Sequence, residues 1–232
     1  KKNFIKDIEN VYSVEKELLL SLMAIETNYG SYLGKMDIIS SLATLSFDKR
    51  RSEFFSNELL IALNLIDQKL INPDLLYGSW AGAFGNFQFM PSTIKNYAVD
   101  YDENNIIELK SIKDSFASAA NYLNLIGWNK DEPCFMKIEL KDNTPIKFLN
   151  TSAQKINYKK KFKYYKKYIN NFDSIKEYAD MKSAIITPDK DIVESANIYS
   201  PAYIVFSNYE LILKWNRSLR FALAVCTLKD NI

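Results

Sequence analysis

Residues 77–91 read Tyr-Gly-Ser-Trp-Ala-Gly-Ala-Phe-Gly-Asn-Phe-Gln-Phe-Met-Pro. Gly78, Gly82 and Gly85 interleave here with Trp80, Phe84, Phe87 and Phe89. Glycine permits positive φ and close approach of one backbone to another. So short a loop is not expected to bury all of its rings, and exposed aromatic faces stack well on sugars. Ser79 and Gln88 add hydrogen-bonding groups. The GK[ST] ending of a phosphate loop is missing, so phosphate cradling is a poor reading. A tight turn packed on a core fits the same composition equally well.

Working outward, both flanks read as helical. Upstream, Val14, Leu18, Leu22 and Ile25 keep a three-to-four residue period, with Gly30 as a stop. A second helix is expected over 52–70, with Ser52 as N-cap and Phe55, Leu59, Leu63, Ile66 and Leu70 inward, before Pro73 breaks the chain. Downstream, one helix starts near Pro91 and another covers 113–126, with Phe116, Ala119, Ala120, Leu123 and Ile126 inward. After Trp128 the pattern changes. CFMKIEL (134–140) and PIKFLN (145–150) read as short strands around a turn at Asp142-Asn143. A basic-aromatic helix, KKKFKYYKKYI (159–169), follows; its lysines can touch an anionic polymer, but a solvated face with Phe162, Tyr165 and Ile169 inward is favoured. AIITP (184–188), AYIVF (202–206) and ELILKW (210–215) are strand-like, and a last helix runs over 218–228, carrying Phe221, Leu223, Ala224 and Val225. The expected fold class is α+β, mainly α. A helical core built from 1–128 and 206–232 would carry a small inserted mixed α/β lobe at 129–205.

Composition narrows the chemistry. The 232 residues are 47% hydrophobic, which suits one core, or a core with a small lobe. Histidine is absent, which excludes a Ser-His-Asp triad, a Cys-His pair and His-ligated zinc. Acid/base work then falls to carboxylates, Tyr, Lys or Cys. A formal net charge of +2 gives no reason to expect nucleic-acid binding. Cys134 and Cys226 form no CxxC motif, and each reads as a lone, semi-buried residue. No apolar run is long enough for a membrane span. The opening Lys1-Lys2, with no signal peptide, suits a processed or trimmed start.

Glu26 borders the apolar stripe of its helix, in the last turn, where backbone carbonyls make the field negative. Burial and that field both disfavour a carboxylate and would raise its pKa toward that of a general acid. By position alone an exposed glutamate near a helix end is the stronger reading.

Glu26 lies in AIETNYG (24–30), followed in order by SLATLSFDKRRSEFF (41–55), GSWAGAFGNFQFMPST (78–93), ANYLNLIGW (120–128) and NYELILKWNRSLRFALAV (208–225). This ordered series is similar to the lytic murein transglycosylase B family, glycoside hydrolase family 103. The resemblance covers most of 4–128 and 196–232. It implies a lysozyme-like fold and non-hydrolytic cleavage of the β-1,4 bond between N-acetylmuramic acid and N-acetylglucosamine, giving 1,6-anhydro ends. Glu26 becomes the sole acid/base. Ser79, Gln88, Tyr122, Asn216, Trp215, Arg50 and Arg51 become substrate-binding residues; Trp215 stands where the family usually has Tyr, and the arginine stretch looks about one residue short. No cofactor is implied as required. Asp100, Asp102 and Asn104 match ligand positions of an EF-hand-like loop found in some members, but position 12 is Ser111, so weak Ca2+ at 100–111 is the most to expect and a plain Asx-rich turn is the better reading. The implied partners are peptidoglycan glycan strands, with no nucleic acid; cell-wall or secretion-machinery proteins are compatible. A periplasmic monomer is expected, and an anchor in a segment outside this chain is compatible. The alternatives are a lysozyme-type hydrolase, with Asp37 or Asp48 as second carboxylate, and an inactive murein-binding scaffold.

Overall fold

The computed structural model describes residues 4–189, 192 and 194–232. The chain divides into two compact units, residues 1–127 and 128–232.

The first unit is built on helices. α1 (Phe4–Tyr12) and α2 (Lys16–Thr27) lead to a two-residue strand β1 (Met36–Asp37), then α3 (Ile38–Ser46) and α4 (Ser52–Asp67). A 3-10 turn at Pro73–Leu75 precedes β2 (Tyr77–Gly78), which pairs antiparallel with β1, and α5 (Pro91–Tyr97) and α6 (Ile112–Leu125) complete the unit. α6 is its axis. Ser115, Ala117, Ser118, Ala119 and Ala120 are all buried, and α1, α2 and α5 pack against this small-residue surface. Asp37 caps α3 through a bond from the Ser40 amide at 2.6 Å.

The expected faces shift in two helices. In α2 the buried side is Leu18, Leu19, Leu22 and Met23, and Ile25 is exposed. In α4 it is Phe55, Glu58, Ala62 and Leu65, while Leu63 points out. The stripe is displaced because buried Glu58 occupies an inward position. Its carboxylate accepts from the Ser92 amide at 2.8 Å and hydroxyl at 2.6 Å, at the N-terminus of α5, where the helix dipole favours an anion. Ser52 does not cap α4. Arg51 holds that position, and the Ser52 hydroxyl donates to the Ser46 carbonyl.

The second unit carries the larger sheet. Its strands are β3 (Phe135–Ile138), β4 (Leu149–Asn150), β5 (Lys160–Lys161), β6 (Lys182–Ile186) and β7 (Ala202–Val205). The order is β3-β7-β6-β4, with β4 parallel to β6, the other neighbours antiparallel, and β5 pairing with one end of β6. Stretches of 3-10 helix at Phe162–Tyr168 and Phe172–Tyr178 place Phe162, Tyr165, Ile169 and Phe172 on Ile185, Ile204 and Phe206. The expected inward residues of 159–169 are therefore buried, in a 3-10 rather than an α geometry. The three-residue spacing of Phe162, Tyr165 and Tyr168 matches three residues per turn. Only the end of PIKFLN is a strand; Ile146–Phe148 turn as a 3-10 helix.

ELILKW is not a strand. It lies in α7 (Ser207–Trp215), with Leu211, Ile212 and Leu213 all buried. A short apolar run buried on every side has no period by which to tell strand from helix. α8 (Leu219–Lys229) follows, capped by the Ser218 hydroxyl, which accepts from the Phe221 amide at 3.2 Å. Its buried side is Leu219, Ala222, Val225 and Cys226.

Two further expectations are corrected. Cys134 and Cys226 are joined as a disulfide, across 92 residues of sequence. Residues 206–232 group with 128–205 instead of with the first 128 residues. That grouping has local causes. The Phe206 amide donates to the Cys134 carbonyl at 2.9 Å, and buried Asn208 bonds the Asn129 amide and the Asn129 and Glu132 carbonyls. The Tyr209 hydroxyl donates to the Leu219 carbonyl at 2.6 Å, and burial pushes its pKa well up.

Candidate active site

The site is assembled where α2 ends. Asn28, Tyr29 and Gly30 all adopt positive φ, with the Asn28 and Tyr29 amides closing on the Ala24 and Met23 carbonyls at 2.9 and 3.2 Å. Only at the third residue is glycine demanded by packing: a Cβ on Gly30 would meet Asn86 Oδ1 at 3.0 Å. Thr27 fixes the helix end from beneath. Its buried hydroxyl lies 2.9 Å from the Asn86 carbonyl and 3.1 Å from the Met23 carbonyl, and accepts from the Gly30 amide at 3.1 Å. Asn86 is held in turn by its amide on the Leu109 carbonyl at 2.9 Å and its side chain on Ser115 at 2.9 Å. Glu26, half-buried, projects from this anchored end.

The opposite wall is the glycine-rich segment. Gly34 (φ +83°) lies so close to the Gly78 carbonyl that any Cβ would overlap it. Past β2, the Ser79 amide donates to the Ala83 carbonyl at 2.7 Å, and the Ser79 hydroxyl accepts from the Ala83 amide at 3.0 Å. That leaves the hydroxyl proton available to a guest. Phe84 and Phe89 exchange backbone bonds at 3.1 and 2.9 Å, closing a tight loop in which Gly85 and Gln88 take positive φ. The Gln88 side-chain amide donates to the Gly85 carbonyl at 3.0 Å and reaches the Leu33 carbonyl at 3.4 Å, tying the two walls together. Between the walls lies a cleft of about 500 Å3. Glu26, Ser79 and Gln88 line it together with Tyr32, Lys35 and Trp80.

The expectation that this loop could not bury its rings fails for most of them. Phe84, Phe87 and Phe89 are buried, and only Trp80 is open, at 68% exposure. Phe87 meets the edge of Phe116 at 5.2 Å and Phe89 that of Tyr122 at 6.1 Å. The segment is thus both the tight turn and the cleft wall.

The remaining expected site residues have the following surroundings. Tyr122 stacks on Tyr97 at 4.4 Å behind the loop, and burial, then Tyr97, raises its pKa. Arg50 bonds Asp48 at 2.6 Å and holds that carboxyl down to about 2, chiefly through the side-chain hydrogen bond. Arg51 lies over the rings of Phe54 and Phe55 at 4.5 and 4.9 Å. Neither arginine lines the Glu26 cleft. Trp215 and exposed Asn216 close α7 in the second unit, where the Asn216 amide caps the Ile212 carbonyl at 2.9 Å.

Around Asp100 the turn is dense with Asx bonds. Asp100 accepts from the Asn104 and Asn105 amides at 3.1 and 2.7 Å, and Asn104 from Ile106 at 2.8 Å. Sequence reading missed Asp114, which is fully buried and accepts from the Tyr101 and Glu108 amides at 3.0 and 2.9 Å. Oxygens of Asp100, Asp102 and Asp114 lie within 4.8 Å of one another. Burial, and more weakly the charges of Asp102 and Asp100, raise the Asp114 pKa. Thr27 and Asn86 were missed too. The available signal was a polar residue inside an otherwise apolar-aromatic run.

The sequence model of the transglycosylase SLT domain matches residues 1–230. The chain belongs to the transglycosylase SLT domain family. Membrane-bound lytic murein transglycosylase B of Escherichia coli (strain K12) is 42% identical to this SLT-domain chain over 123 residues, 53% of this chain and 34% of that protein. Among solved structures, SltB3 of Pseudomonas aeruginosa in complex with NAG-anhNAM-pentapeptide matches with a TM-score of 0.84 at 29% identity, covering 99% of this chain and 59% of that one. The Escherichia coli lytic transglycosylase Slt35 in complex with calcium matches with a TM-score of 0.75 at 25% identity, covering 99% and 69%. The SLT-domain chain therefore spans about a third of the length of the Escherichia coli relative. Its fold is the lysozyme-like one of these lytic transglycosylases, α+β and mainly α.

Proposed function

We propose that the chain is a peptidoglycan lytic transglycosylase with Glu26 as its single acid/base. The observation that carries this reading is the make-up of the cleft: Glu26 is the one carboxylate among its described lining residues, facing a serine, a glutamine and an open tryptophan ring. A lysozyme-type hydrolase would want a second carboxylate across the bond. Asp37 is occupied as the cap of α3, and Asp48 is paired with Arg50. The substrate instead supplies the nucleophile. The Glu26 carboxyl gives its proton to the glycosidic oxygen as the bond from C1 breaks. The resulting carboxylate then takes the proton of the muramic C6 hydroxyl as that oxygen bonds C1, which closes the 1,6-anhydro ring and returns Glu26 to its starting state. Ser79 and Gln88 orient the sugar, and Trp80 offers it a stacking face.

The test is digestion of purified sacculi in heavy-oxygen water with mass analysis of the products. Unlabelled 1,6-anhydro ends are expected, with turnover abolished in Glu26→Gln. Labelled reducing muramic ends would overturn the mechanism, and equal inertness of wild type and variant would overturn the activity.

The location read with this function is the cell envelope outside the cytoplasm. The Cys134–Cys226 disulfide supports it, since such bonds persist in oxidising compartments. None of the described helices is long and apolar enough to cross a membrane. A weak Ca2+ site is a separate part of the proposal. Asp100, Asp102 and Asp114 offer hard oxygen ligands, and a cation would relieve the mutual repulsion that their charges impose.

A further inference from the structure

The second unit has a cavity of about 580 Å3 between the 153–159 segment and the last turns of α7. Its floor is apolar, made by buried Ile156 and Leu213. Its rim carries Lys155, Lys159, Lys214 and Arg217, against one carboxylate, Glu210. Lys159 and Glu210 are already ion-paired. Lys155, from the 153–159 segment, and Arg217, just beyond α7, both line the cavity, and neither is in an ion pair among the described residues. This differs from the neighbouring basic 3-10 segment, where Lys161 and Lys163 share Asp180 and Lys166 meets Asp173.

The wall bearing Lys155 is also built in advance. Buried Asn150 accepts from the Asn157 amide at 2.8 Å and donates to the Ile185 carbonyl at 2.8 Å, and the Tyr165 hydroxyl holds the Tyr158 carbonyl. The loop is thus clamped to the sheet on one side of Lys155 and anchored by Ile156 beside it. A site whose walls are ordered before the guest arrives loses less entropy on binding. The cavity is in the size range of small-ligand sites, about 300–1,000 Å3.

We propose that this cavity binds a multiply charged anion bearing phosphate or carboxylate groups, held between Lys155 and Arg217. Arg217 offers the planar fork that matches either group in two-point fashion, and Lys155 a compact charge from the 153–159 segment. The apolar floor takes the ligand's carbon skeleton. The residues that line this cavity all belong to the second unit, and those that line the Glu26 cleft all belong to the first.

Calorimetric titration of the full chain at low ionic strength, with inorganic pyrophosphate and separately with a triglutamate peptide, tests this. Saturable binding of at least one probe is expected, weakened about tenfold or more in Lys155→Ala and in Arg217→Ala, largely kept in Lys155→Arg, and only partly kept in Arg217→Lys, which holds the charge but loses the fork. Binding of pyrophosphate alone assigns a phosphoryl ligand; binding of the peptide alone assigns a carboxylate one. Lys163→Ala removes an equal charge outside the cavity and should leave binding intact. No binding of either probe, or equal weakening by Lys163→Ala, would overturn the proposal. Amide shift changes in the wild-type protein provide a second readout that needs no variant. They should be confined to 153–159 and 210–217, and changes spread evenly over the lysine-rich surface would overturn the proposal as well.

Discussion

Replacing Thr27 by Val exchanges a hydroxyl for a methyl group at the point that holds Glu26 in place. The side chain is 1% exposed, so water cannot take over its bonds. The change strands the Gly30 amide and the Asn86 carbonyl, while the Met23 carbonyl keeps the Tyr29 amide. Each stranded buried group costs about 1–3 kcal/mol. Burial of the added methyl returns about 0.8 kcal/mol. The expected net loss is about 1–5 kcal/mol, read as a lower urea midpoint by circular dichroism. The helix end relaxes with it, and a displacement on the scale of an ångström in a reacting group lowers turnover by up to about a hundredfold. Thr27→Ser keeps the hydroxyl and loses a methyl, about 0.8 kcal/mol, so it should retain near-normal turnover of sacculi. The reasoning is refuted if the Val variant is as stable as the Ser variant and turns over substrate as wild type does.

Three other outcomes are expected. Gly34→Ala should cost about 1–2 kcal/mol from its backbone conformation alone, and more from the overlap with Gly78; lower thermal stability with reduced turnover checks it. Reducing the disulfide frees a loop of 92 residues and should destabilise the second unit by about 4–5 kcal/mol; melting with and without dithiothreitol measures this, and an unchanged curve would sink it. Calcium should raise the melting temperature at millimolar concentrations, an effect lost in Asp114→Asn. Because the folded Asp114 pKa is raised, its contribution to stability is fullest below the ordinary carboxylate range and falls as pH rises through the folded value. Protonation competes with the cation, so the calcium effect should shrink as pH falls through that value.

Much of this was legible in the sequence, and the illegible part has physical causes. The helices at 16–27, 52–67, 91–97 and 112–125 announce themselves by period and by Pro91. Glu26, Ser79 and Gln88 were readable as site residues because the ordered blocks resemble a family, and the fold brings them to one cleft. Local pattern alone left Glu26 an ordinary surface residue. For Arg50, Arg51 and Tyr122 the blocks name the residue, and the structure adds local partners that a motif does not encode: Asp48, the Phe54 and Phe55 rings, and Tyr97. ELILKW carried no period because its apolar run, Leu211 to Leu213, is buried on every side. Glu58, Asn86 and Asp114 were invisible because their roles consist of hydrogen bonds to groups in other elements, which no local period reports. The disulfide joins residues so far apart that spacing could not pair them.

That disulfide also changes what a single cut does to the molecule. All of β3 to β7 and the whole of α7 lie between Cys134 and Cys226, inside one covalent ring. A protease that nicks any surface turn in this ring opens the polypeptide without releasing a fragment. The two pieces stay on one molecule, and the packing of Phe162, Tyr165 and Phe172 on Ile185 and Ile204 holds them in register. Nicked protein should run as a single band without reductant and as two with it. The second unit thereby stays assembled after damage that would dismantle an unbridged one.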